Sequence, residues 1–138
     1  MVLRGFLCRF AMGVFGLTGL SAPALASDPI AVPSGQQVTF YDVIWEQHGT
    51  ENTYRFRYLA PQIARDGDGI SFDQAEADLI YLCENSALPS LRKHNRDVTK
   101  IIISISDIPV TFGRVSPQAT QFIDGFDVQG IRCIWDAY

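Results

Sequence analysis

Hydrophobic positions along this chain switch between two periods, and each switch predicts an element. Residues 38–46, VTFYDVIWE, are rich in β-branched and aromatic side chains, and in residues 53–60, TYRFRYLA, Tyr54, Phe56 and Tyr58 alternate with Arg55 and Arg57. A period of two is that of a half-buried strand, so the two segments read as a β-hairpin turning over residues 48–52. The alternation puts both arginines on the face that the aromatics leave free, which predicts a solvent face, an anion site being the alternative. Residues 100–106, KIIISIS, set Ile101, Ile103 and Ile105 on one face and Ile102, Ser104 and Ser106 on the other. One wholly apolar face with few charges predicts a central strand.

Between these strands the period lengthens to that of a helix. In residues 73–88, DQAEADLIYLCENSAL, the side chains of Ala75, Leu79, Ile80, Leu82 and Cys83 form one apolar stripe, opposite Asp78, Glu84 and Asn85. Asp73 followed by Glu76 predicts a capping box, with Phe72 stapled on Ala77, and Pro89 predicts the end. Later, Ser116-Pro117 reads as an N-cap with proline at the first helical position, opening a short helix over PQATQFID that Gly125 closes. Before it, Asp107-Ile108-Pro109 breaks the central strand, and VTF reads as a short edge piece. FDVQGIRCIWDAY reads as a last hairpin at Gln129-Gly130, with Ile131, Cys133 and Trp135 sharing a face. This order predicts an α+β fold: a two-layer sandwich, one long and one short helix on one face of a largely antiparallel sheet.

The first residues carry a different message. Residues 1–26 have a basic start (Arg4, Arg9), an apolar run over residues 10–20, and Ala24-Leu25-Ala26 as a small-residue cleavage site. They predict a secretory signal peptide, too short in its apolar run to span a bilayer. The expected mature chain is one domain over residues 27–138, periplasmic or secreted, with no stable membrane insertion. Losing Arg4 and Arg9 leaves nine basic against fifteen acidic residues, a formal charge of −6 where the whole chain has −4. That balance argues against nucleic acid as a partner. Of three cysteines, Cys8 leaves with the signal, and Cys83 and Cys133 remain to pair in an oxidising compartment, a reactive thiol or a metal pair being the alternatives.

Chemistry-bearing patterns are few. Asp66-Gly67-Asp68-Gly69 resembles part of a calcium loop, but with Gly69 at loop position 6, position 1 falls on Ala64 and position 12 on Ala75. Asp66 and Asp68 are therefore weak metal candidates, and a turn using glycine for positive φ is the plainer reading. Arg92, Lys93, His94 and Arg96 form a basic cluster that could meet an anion or an acidic partner, or could be a solvated loop. His48 and His94 are the only histidines, and neither has a ligand at metal spacing. Ser104, Ser106 and Asp107 adjoin, but no GxSxG elbow is present, nor a phosphate loop, zinc spacing or dinucleotide fingerprint, so no catalytic residue and no cofactor is assigned.

The blocks VPSGQ, VIW, RFRYLAP, IARDG, LC at residues 82–83, IIISISD, ATQF and RCIW resemble a family of small exported proteobacterial proteins known as a domain of unknown function. The resemblance implies that Cys83 and Cys133 belong to the family pattern, and implies no activity. The expected function is a non-enzymatic binding or accessory domain for a protein or small molecule. The alternatives are a small hydrolase-like enzyme with a scattered site, or a degenerate calcium module at Asp66 and Asp68. Convergence of Asp107, His94 or His48 in a cleft would point to the enzyme, and an exposed aromatic patch to binding.

Overall fold

The computed structural model describes residues 27–66 and 69–136; residues 1–26, read as a signal peptide, and Asp68 of the calcium candidate lie outside them. Six strands run in sequence order across one sheet: β1 (Ile30–Ala31), β2 (Gln37–His48), β3 (Glu51–Leu59), β4 (Lys100–Ser106), β5 (Gln121–Gln129) and β6 (Arg132–Trp135). Every neighbouring pair is antiparallel except β3 and β4, which are parallel and joined through the helical segment. The sheet curves into a half-barrel, and the helix packs on its inner face. The α+β expectation therefore holds, with a mixed, curled sheet.

Both expected hairpins form, but the second turns one residue later than read, so that Ile131 lies exposed in the turn and does not share the strand face of buried Cys133. β2 and β3 turn at Gly49-Thr50, and β5 and β6 at Gly130-Ile131, with Gly49 at φ 62° and Gly130 at φ 60°. Two-residue hairpin turns need this left-handed backbone, which glycine adopts without strain. Ile101, Ile103 and Ile105 of the central β4 are buried against the helix, together with Phe56, Tyr58 and Phe126 from the flanking strands. At the strand's start, Lys100 Nζ lies 2.6 Å from Asp136, a hydrogen bond that holds the ammonium pKa above its usual range.

The helix departs from expectation at both ends. Its cap is Ser71, not Asp73: Ser71 Oγ accepts from the Gln74 amide while the Gln74 side chain accepts from the Ser71 amide, and α1 spans Phe72–Leu82. Asp73 falls in the first turn, and Phe72 packs edge-on against Phe122, 5.4 Å between centroids, rather than stapling Ala77. Nor does Pro89 end it. A π turn, Cys83–Ala87, follows α1, and α2, Leu88–Lys93, continues with Pro89 in its first turn. The Leu88 amide donates to the Cys83 carbonyl five residues back, so the ladder is reset by one residue just before the proline. Pro89 then stands where a helix start would, with no N–H required of it. Asp78, expected on the polar side, is fully buried and accepts from the Ser34 amide (2.8 Å), Ser34 Oγ (2.5 Å) and Gln36 Nε2 (2.6 Å).

Two expected elements between β4 and β6 are absent. VTF is not a strand, and PQATQFID is not a helix: a single turn, closed by the Ala119 amide on the Ser116 carbonyl, leads straight into β5. The alternation Phe122, Asp124, Phe126, Val128 faces the helix and wins over the local Ser-Pro signal, because pairing with β4 buries Phe126. The loop over residues 107–120 folds over the outer face of the sheet. Arg57 is consequently 6% exposed instead of solvated. The Asp-Gly loop also has a different reason for its glycine. A Cβ on Gly69 would lie 2.6 Å from the Ala64 carbonyl oxygen, so close backbone approach, not positive φ, demands it.

Candidate functional site

On the inner face, the hairpin side of the sheet stands away from the second half of the helix, and a cleft of about 510 Å³ opens between them. Phe40, Val43 and Trp45 of β2 and Tyr54 and Phe56 of β3 form one wall. A bulge between Phe40 and Asp42 puts Phe40 and Val43, three residues apart, on the same face; Tyr41 is the extra residue. Trp45 lies opposite Tyr54 and Val43 opposite Phe56, so cross-strand pairs build a continuous apolar surface. Phe40 packs on Phe56 and on Tyr58 with centroids 6.2 and 6.0 Å apart. The lip is open to solvent, with Trp45 57% exposed and Val43 43%. An aromatic surface of this kind is uncommon on a monomer without a use for it.

The opposite wall comes from the helix. Ser86, Ser90 and His94, four residues apart, form a polar ridge beside Leu91, and Arg96 completes the lining. Arg96 reaches the cleft because the helix ends in a Schellman motif: Asn95 adopts φ 51°, its amide donates to the Arg92 carbonyl, and the Arg96 amide donates to Leu91 (2.9 Å). His94 Nδ1 lies 2.8 Å from the Ser90 carbonyl and donates to it, which leaves Nε2 for a ligand. The Arg96 guanidinium makes no ion pair among the described residues, and none of the described residues lining the cleft is acidic. Behind the wall, the Tyr58 hydroxyl donates to Ser86 Oγ (3.0 Å), and burial pushes the phenol up to about 12 against the smaller opposing effect of that hydrogen bond.

What keeps the cleft open is how the helix is anchored. Cys83 and Cys133 form a disulfide, Cα atoms 6.3 Å apart, that fastens the π turn to β6. Beside it, Glu84 accepts from the Cys133 amide (3.1 Å) and pairs with Arg132 (2.9 Å), and the Arg92 guanidinium donates to the Gly130 carbonyl. These ties pull the helix toward the β5–β6 edge. On the β2–β3 side, Asp78 ties the first half of the helix to Ser34 and Gln36, and the Tyr58–Ser86 hydrogen bond ties the second half to β3.

The basic cluster therefore divides. Arg92 is structural, Lys93 is exposed in the last helical turn, and His94 and Arg96 face the cleft. His48 sits exposed at the end of β2, and Asp107 accepts from the Ile108 and Thr120 amides, so neither converges with His94. Asp66 lies exposed in its loop, and no group of three metal-ligating side chains occurs among the described residues. Phe40, Val43 and Trp45 were legible only as strand residues. Their aromatic density was the available signal, and the bulge that turns them to one side was not.

No curated protein and no solved structure matches this chain. A family model described as a family of unknown function, DUF6497, matches residues 16–138, nearly the whole sequence. The chain belongs to that family.

Proposed function

We propose that this domain is an exported, non-enzymatic binding module that takes a small amphiphile with an acidic head group into the inner cleft. The observation that carries this reading is a solvent-open aromatic wall facing a helix whose far end supplies His94 and Arg96 without any carboxylate in the described lining. The apolar body of the ligand lies along Phe40, Val43, Trp45 and Leu91, and its acid group sits at Arg96. A volume of about 510 Å³ is within the usual range for a small-molecule site. The hydrolase alternative has less support, because Ser86 is engaged by Tyr58 and no described carboxylate stands behind His94.

Titration with straight-chain fatty acids of increasing length tests the reading. Each methylene buried contributes about 0.8 kcal/mol, so affinity rises roughly fourfold per carbon until the cleft is filled. Arg96→Gln weakens binding of the acid while leaving the matching fatty alcohol unchanged. Affinity that ignores both chain length and Arg96 contradicts the proposal.

A further inference from the structure

A second cleft, of about 180 Å³, lies on the opposite face of the sheet, under the loop over residues 107–120. At about 30 Å³ per water, it has room for roughly six waters or one small hydrated ion. Arg55, Arg57 and Arg114 line it together with Ser104 and Gln121, and none of its described lining residues is acidic. Three arginines lining one small cavity are unexpected in a chain with formal charge −4.

Their existing partners fall short of what they can donate. Each guanidinium offers five N–H groups in a planar fork and stays charged at every accessible pH. Arg57, 6% exposed, donates to Asp42 Oδ2 (3.2 Å) and to the Val110 carbonyl, and lies 5.1 Å from the Tyr41 ring. Asp42 itself is 46% exposed and so largely hydrated. Arg55 stacks under Phe112 at 5.4 Å, its closest carboxylate is Glu46 at 3.8 Å, and its Nε is buried with no hydrogen-bond partner. Arg114, on the loop's tight turn, makes no ion pair among the described residues. A buried guanidinium N–H without an acceptor is costly, and an oxyanion supplies several acceptors at once.

From this surplus of fixed donors we infer that the outer cleft binds a tetrahedral oxyanion of the phosphate or sulfate class. The Arg55 and Arg57 forks hold it from the sheet, and Arg114 and Ser104 complete the shell. Phe112 and Tyr41, stacked on the guanidiniums, keep the forks in place before the anion arrives. The site is separate from the inner cleft and does not depend on what that cleft binds.

Calorimetric titration and melting of the whole protein with inorganic phosphate, sulfate and a short phosphomonoester, at ionic strength held constant with chloride, tests this. Saturable one-to-one binding with a raised melting temperature is expected. Tighter binding of the inorganic ions identifies a free anion, and tighter binding of the ester identifies the head group of a larger ligand; either supports the site. Arg114→Gln, on an exposed residue, should weaken binding about tenfold. Glu46→Gln frees Arg55 and should tighten it by up to about fivefold, the worth of a partly exposed ion pair, a gain that no folding defect imitates. Phosphate, sulfate and ester that act no differently from chloride, or affinities untouched by both variants, would overturn the inference.

Discussion

Replacing Asp78 with alanine should loosen the first described segment of the chain from the helix. Asp78 is fully buried and takes three hydrogen bonds from Ser34 and Gln36, which close the turn over residues 32–36 on α1. A hydrogen bond to a charged acceptor contributes about 1.5–3 kcal/mol, and removing the acceptor leaves the Ser34 amide and the buried Gln36 amide group without a partner. The three bonds share one acceptor and are not additive, so the expected loss is about 3–5 kcal/mol, close to the cost of breaking a buried charged network. For a domain of this size that is a melting temperature lowered by roughly 12–20 °C. Urea unfolding followed by circular dichroism gives the free energy directly. Asp78→Asn, which keeps one acceptor, should lose about half as much, and Ser34→Ala, which removes one donor, about 1 kcal/mol. Asp78→Ala within 0.5 kcal/mol of the parent, by the usual scale of surface substitutions, would refute the argument.

The disulfide and the buried phenol give further tests. With a sequence separation of 50 residues between Cys83 and Cys133, the chain-entropy relation gives about 4 kcal/mol, so Cys83→Ala/Cys133→Ala should lower unfolding stability by roughly that amount; a loss below 1 kcal/mol would mean that Glu84 and Arg92 hold the helix without it. Tyr58 keeps its proton in the folded state to about pH 12, whereas an unfolded tyrosine loses it near 10.0. Stability is therefore whole below pH 10 and falls between pH 10 and 12, by up to about 1.4 kcal/mol per pH unit. Tyr58→Phe should remove that alkaline loss while sacrificing the Ser86 hydrogen bond, and an unchanged alkaline slope in the variant would assign the loss to another group.

What the residues made legible were features set by neighbours in sequence. The first hairpin turn, the isoleucine face of β4 and the apolar stripe of α1 depend on local period and on Gly49, and they stand as read, whereas the last hairpin forms with its turn one residue later, at Gly130-Ile131. The misreadings have non-local causes. Asp78 looked like a solvent residue because its partners lie more than forty positions away at Ser34 and Gln36. Gln121–Gln129 looked partly helical because Ser116-Pro117 is a good helix start, but sheet pairing with β4 outweighs it. Arg57 looked solvated because nothing in an alternating strand announces the loop that covers it. The inner cleft was legible in part: His94 and Arg96 stood out as basic residues in an acidic chain, whereas Phe40, Val43 and Trp45 needed the bulge at Tyr41 to become a wall.

The most direct measurement of the central claim uses Trp45, one of only two tryptophans in the chain. In a Trp135→Phe background it is the sole indole, and it stands 57% exposed at the lip of the inner cleft. Titration with a medium-chain fatty acid, kept below its micelle concentration, should shift its emission to the blue and saturate at one ligand per chain, as the indole passes from water to an apolar contact. An emission spectrum unmoved by fatty acid, with binding absent by calorimetry, would contradict the account.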